Sequence, residues 1–134
     1  MVPFYNAEAS AGHGSVVGFE EVIERLAFSR HWLRQRDLSP SELALIRVRG
    51  DSMAPTIRSG AIALVDVRSK QLSDDAVYIL QRDGDLIAKR LQIDWSGGVY
   101  IRSDNQAYPP QHLNSDEASR LIVIGRVVWV GQEL

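Results

Sequence analysis

The sequence predicts a mostly β fold of twisted antiparallel sheets with one or two short helices. Apolar runs recur from Leu45 to Val130, several alternating with period two, the pattern of half-buried strands. An Asp83-Gly84 pair between two such runs is the strongest hairpin-turn signal in the chain. Helical signals are short and confined to residues 19–42. The 134 residues have the length of a single domain with a core of its own.

Taken in order, Val2-Pro3-Phe4-Tyr5 is a short apolar start, and Asn6 to Ser15, rich in small residues and holding two glycines, reads as a flexible loop. Residues 1–17 are accordingly expected as an N-terminal segment ahead of a domain over residues 18–134. Phe19 to Phe28 fits an amphipathic helix with its acids early, and fits equally a strand ending at Phe28. Ser29 to Arg36 reads as a short helix capped by Ser29, with its arginines on a solvated face. Ser39-Pro40-Ser41-Glu42 supplies a cap, a proline at the first helical position and an early acid, enough for one helical turn.

A strand from Leu45 to Arg49 follows and stops at Gly50. After the Ser59-Gly60 turn, Ala61 to Val67 is apolar on both faces and belongs in the centre of a sheet. Ala76 to Gln81 and Leu86 to Leu91 form the hairpin around Asp83-Gly84, and Ser96-Gly97-Gly98 turns the chain into Val99 to Arg102, so the second hairpin strand is flanked on both sides. Ser103 to Pro110 is a turn-rich loop capped by Asn105. Leu121 to Ile124 and Arg126 to Val130 are a strand pair, or one long strand bent at Gly125, with exposed apolar edges suited to a partner surface.

Composition narrows the chemistry. Hydrophobic residues at 45% and charged residues at 24% are ordinary globular values, and a formal charge of -2 gives no general attraction to nucleic acid. The absence of cysteine excludes a disulfide framework, a cysteine nucleophile and a zinc–cysteine cluster, and fits a reducing cytoplasm. No apolar run approaches the roughly 18–20 residues of a membrane span. His13, His31 and His112 lack ligand-spaced partners, so neither a Ser-His-Asp triad nor a metal site is expected, and no cofactor-binding glycine motif occurs.

What remains is a serine and a lysine. Ser52 stands just past the strand break at Gly50, and Pro55 prevents the strand from resuming. A serine hydroxyl needs a base, and Lys89 is the best candidate. Period two puts Ile87, Lys89 and Leu91 on one strand face and Leu86, Ala88 and Arg90 on the other. If the first face is buried, desolvation lowers the lysine pKa toward that of a general base, while Arg90 points away and stays charged. Taken alone, Ser52 is an ordinary turn serine and Lys89 a strand lysine.

Together they carry more. Gly50-Asp51-Ser52-Met53, followed 37 residues after the serine by Lys89 within Ala88-Lys89-Arg90-Leu91, resembles the Ser/Lys self-cleaving domain of LexA, lambda-type phage repressors and UmuD. Ile124 to Val130 resembles the closing strand of that family, and Ser103 to Tyr108 its Ser-x-Asn-x-x-Tyr/Phe segment. The resemblance implies a compact LexA-like peptidase fold in which Lys89 deprotonates Ser52 and the backbone N–H groups of Asp51 and Ser52 hold the oxyanion. It also implies self-cleavage at a small-residue–Gly bond, here Ala11-Gly12. The 40 residues from Gly12 to Ser52 exceed the LexA and UmuD spacing, and residues 18–37 resemble an insertion common in prophage-type repressors.

The same resemblance implies a cytoplasmic homodimer activated by the RecA filament on single-stranded DNA. DNA would be contacted only through a helix-turn-helix domain absent from this chain, which is expected to be a piece of a longer regulator. Two further readings stand beside it: a UmuD-like polymerase accessory protein, and a dimerisation module that keeps the fold without cleaving. Type I signal peptidases share a Ser/Lys pair but are membrane-anchored, so their substrates are not expected here.

Overall fold

The computed structural model describes residues 4–10, 30–68, 71–73 and 75–133, with backbone alone at 4–10, 30 and 40. Among the described residues there are eight strands: β1 (Phe4–Ser10), β2 (Leu43–Arg49), β3 (Ile62–Asp66), β4 (Ala76–Arg82), β5 (Asp85–Ile93), β6 (Val99–Arg102), β7 (Gln111–Leu113) and β8 (Ile122–Gly131). Two short helices, α1 (Arg30–Gln35) and α2 (Ser115–Ser119), and a 3-10 turn at Pro40–Glu42 complete the described elements. The mostly β expectation is met, with short helices among the described residues.

Period two sorts the strand residues into two environments. Ala44, Ile46 and Val48 of β2, Ala63 and Val65 of β3, Ile79 of β4 and Ala88 of β5 share one buried cluster. The alternate residues face the other way: Leu43, Leu45, Ile62 and Leu64 pack under Leu33 of α1, while Tyr78, Leu80, Ile87 and Leu91 pack with Val99 of β6 and, through Ala118, against α2. Because both faces of these strands are covered, β2 and β3 read as nearly unbroken apolar runs.

The strand order explains the shared inner cluster. It runs β1-β2-β3-β8-β4-β5-β6-β7, and β1 also pairs with β5, so the first six strands close into a barrel. Small residues such as Ala44, Ala63 and Ala88 suit a narrow barrel interior. Pairing is antiparallel except at β1, which runs parallel to β2 and to β5. β6 and β7 continue outward from β5 as a small antiparallel extension.

Most elements match the expectations, including the central β3, the one-turn helix before β2 and the β4–β5 hairpin. Asp83 and Gly84 both take positive φ, 51° and 84°, as a tight two-residue hairpin turn requires. Three expectations are corrected. Residues 6–10, read as loop, are strand, because β2 and β5 offer them a ladder whatever their composition. The last strand is not an edge: β8 is one strand paired on both sides, with β3 and β4, and it shifts register near Gly125. Residues 111–119, left unassigned, hold β7 and α2. The helix-or-strand alternative over 19–28, the Ser29 cap and His13 lie outside the described residues.

Candidate active site

Ser52 sits where the barrel is corked. Gly50 ends β2 with φ +87°, a region open to glycine and costly for other residues, and so turns the chain across the barrel mouth. Met53 and Ile57 then drop into the inner cluster at 2% and 1% exposure, which anchors the loop just after Ser52. A turn bond from Ala54 N–H to the Asp51 carbonyl (3.1 Å) and another from Ile57 N–H to the Met53 carbonyl (2.9 Å) fix its path. Ser52 is 3% exposed. The N–H groups of Asp51 and Ser52 donate to no acceptor among the described residues.

Lys89 lies at an interruption in the second edge of β5. That edge pairs with β1 at Leu86 and with β6 from Arg90 onward; residues 87–89 fall in neither ladder among the described residues. The register Arg90↔Arg102 runs on by one residue to set Lys89 opposite Ser103, and Nζ donates to Ser103 Oγ at 2.8 Å. The amine also lies 5.7 Å from the centre of the Tyr108 ring. It opens on a cavity of about 410 Å³ walled in part by Leu80, Ile87, Ile101, Tyr108 and Leu121. Burial pushes the Lys89 pKa below the ordinary lysine value, and the Arg82 cation on the rim of the same cavity pushes it the same way. Arg90, on the opposite face, holds Asp104 through two bonds of 2.8 Å and keeps its charge.

The loop between β6 and β7 joins the two halves. Asn105 donates its backbone N–H to the Ser52 carbonyl and its Nδ2 to the Asp51 carbonyl, each at 3.0 Å. Its Oδ1 accepts from Ala107 N–H, which is the turn-capping role expected of it. Tyr108 donates its hydroxyl to Asp51 Oδ1 at 2.5 Å, and that bond, with the carboxylate charge, raises the tyrosine pKa. Six residues of this loop, Ser103 to Tyr108, therefore touch the serine turn through Asn105 and Tyr108 and the lysine through Ser103 and Tyr108. Sequence reading treated this loop as a turn; the signal it carried was the Ser-x-Asn-x-x-Tyr spacing together with the Gly97-Gly98 turn, which sets the register of Ser103 against Lys89.

Ser52 and Lys89, both expected from the sequence as site residues, thus each contact this shared loop, and no hydrogen bond joins them directly among the described residues. Ala11 and Gly12 lie outside the described residues. The backbone of β1 does approach, with Ser10 beside Arg49, three residues before Ser52, and Ala9 beside Leu86, three residues before Lys89. Among the described residues no cluster of His, Asp or Glu could hold a metal, and no helix is long and apolar enough to cross a membrane.

The described residues thus form a closed, corked β-barrel that presents a buried serine and a desolvated lysine. The particular family follows from comparison: residues 3–128 match the Peptidase S24-like family, and the chain belongs to it. It is similar to the HTH-type transcriptional regulator PrtR of Pseudomonas aeruginosa, with 32% identity covering 96% of this chain and 51% of that protein. It is similar also to the 26 kDa repressor protein of Escherichia phage HK022 (30%; 95% and 55%) and to the repressor protein CI of Enterobacteria phage phi80 (33%; 96% and 54%). The chain spans about half the length of these curated relatives.

Proposed function

We propose that this domain is the self-cleaving regulatory part of a repressor-like transcriptional regulator, cutting its own Ala11-Gly12 bond with Ser52 as nucleophile and Lys89 as general base. Neutral Lys89 takes the proton of Ser52 Oγ as that oxygen attacks the Ala11 carbonyl carbon. The Asp51 and Ser52 N–H groups receive the developing oxyanion. Collapse breaks the C–N bond, the Lys89 ammonium returns its proton to the Gly12 amine, and an ester joins Ser52 to Ala11. Water, deprotonated by Lys89, then hydrolyses the ester and restores Ser52.

The observation that carries this reading is the path of β1. It runs parallel to β2 and β5, and its last residues lie close to both reacting groups in register, Ser10 beside Arg49, three residues before Ser52, and Ala9 beside Leu86, three residues before Lys89. Residues 87–89 of β5, paired with neither β1 nor β6 among the described residues, suit an extended segment passing there. Homodimerisation, stimulation by the RecA filament on single-stranded DNA and DNA contact through a separate helix-turn-helix domain belong to the same reading, on the strength of the family.

Intact-mass spectrometry after incubation at pH 7 and pH 10 tests it, beside Ser52→Ala and Lys89→Ala. Loss of residues 1–11 at high pH, absent in both variants, is the expected result. A wild-type chain that stays whole at either pH, with the fold intact and activated RecA filament present, sinks the self-cleavage claim and leaves a non-cleaving module.

A further inference from the structure

Resting on that reading, we propose that Ser103 is the residue that positions the Lys89 amine, fixing its hydrogen so that its lone pair faces the nucleophile. A neutral amine has two N–H groups and one lone pair, and only the lone pair can accept the serine proton. Free rotation about the last side-chain bond would aim that lone pair in every direction. The Ser103 hydroxyl restricts this freedom by accepting one N–H at 2.8 Å, which leaves two staggered positions for the lone pair. Ser103 is itself held: it follows β6 directly, its neighbour Asp104 is clamped to Arg90 by two bonds of 2.8 Å, and Asn105 is tied to the Ser52 turn. The hydroxyl is therefore fixed relative to both reacting groups. Among the described residues no β5 side chain bonds the amine, and its partner comes from the neighbouring strand's continuation.

The charged and titratable groups around the amine set the sign of the effect. Arg82 of β4, Tyr108 of the loop, and Glu117 and Arg120 in or beside α2 line the same cavity. Burial and Arg82 disfavour the ammonium, whereas the Ser103 oxygen, accepting from it, favours the ammonium. Ser103→Ala removes the acceptor that the amine bonds, so the lysine titrates lower still, while its lone pair loses its aim.

The test has two readouts. In self-cleavage against pH, Ser103→Ala is expected to lower the alkaline plateau rate about tenfold to a hundredfold and to move the midpoint down by about one pH unit. Ser103→Thr, which keeps the hydroxyl, restores both. Carbon-13 NMR of the Lys89 side chain in a Ser52→Ala background reads the same midpoint without any cleavage, and it too is expected to fall in Ser103→Ala. Unchanged midpoints by both methods overturn the proposal even if the rate falls, since a packing defect alone would do that. Cleavage abolished in Ser103→Ala but retained in Ser52→Ala overturns it in another way, by making Ser103 the nucleophile. A wild-type chain that never cuts, with an NMR midpoint that still moves, defeats the catalytic role through the parent reading and leaves only the contact.

Discussion

Replacing Asn105 by alanine gives the most direct test of the loop that joins serine and lysine. Asn105 makes three hydrogen bonds of 3.0 Å, through its backbone N–H, Nδ2 and Oδ1. The substitution keeps the first and removes the other two. Each intramolecular hydrogen bond is worth about 0.5–1.5 kcal/mol net, and both lost bonds are open to water, so the expected destabilisation is about 1–2 kcal/mol. In thermal unfolding that is a fall in Tm of about 3–8 °C for a chain of this size. The effect on cleavage is expected to be larger than stability explains, about tenfold at 25 °C where the variant stays folded, because the serine turn keeps only the residue-105 backbone tie and the Tyr108–Asp51 bond. Asn105→Asp separates the two roles. It keeps an acceptor for Ala107 N–H but has no donor for the Asp51 carbonyl and adds a carboxylate beside it, so it should be more stable than the alanine variant and equally slow. A folded Asn105→Ala protein that cuts at the wild-type rate would refute the positioning argument and reduce Asn105 to a turn cap.

Three further outcomes follow from the same contacts. Lys89→Met should stabilise the fold at neutral pH: the lysine pKa is lowered by burial, so the wild type carries the full cost of a desolvated ammonium below its folded value and loses that cost as pH rises to the ordinary lysine value near 10.5, where the advantage of the variant disappears in denaturant titrations. Asp104→Asn should cost about 1–2 kcal/mol at pH 7, discounted for the part-exposed Arg90 partner. Its carboxylate pKa is lowered chiefly by Arg90, so that contribution is complete above the ordinary carboxylate value and fades as pH falls through the lowered one, bringing wild-type and variant stabilities together in acid. Gly125→Ala should be worse than either, about 3 kcal/mol or more by chemical denaturation, since a Cβ there would lie 2.5 Å from the Asp66 carbonyl oxygen, a backbone atom of β3 that cannot swing aside.

How far the sequence could be read depends on where each element's identity comes from. β3, β4 and β5 declare themselves, because their own side chains supply the apolar pattern and Asp83-Gly84 supplies the turn. β1 does not: Asn6 to Ser10 are small and polar, and they are strand because two distant partners hydrogen-bond to them. α2 did carry a local signal, since Asn114 and Glu117 form a reciprocal capping box, but a five-residue helix with no apolar periodicity is easily passed over. At the site, Ser52 and Lys89 stand out by context. Ser103 and Tyr108 do not, because their partners lie 14 residues away in one case and 57 in the other, and only the folded register brings them together.

The closure of the barrel by β1 bears on what a cut at Ala11-Gly12 would release. That strand would become a separate peptide of eleven residues, yet still a stave laddered to β2 and β5, so the cut protein would resemble a split protein whose fragments complement one another. Denaturing mass spectrometry would report two pieces while gel filtration and circular dichroism reported one. Severing the chain and shedding the stave would then be distinct events with distinct rates, and whatever precedes residue 1 in a longer protein would be freed on the second clock.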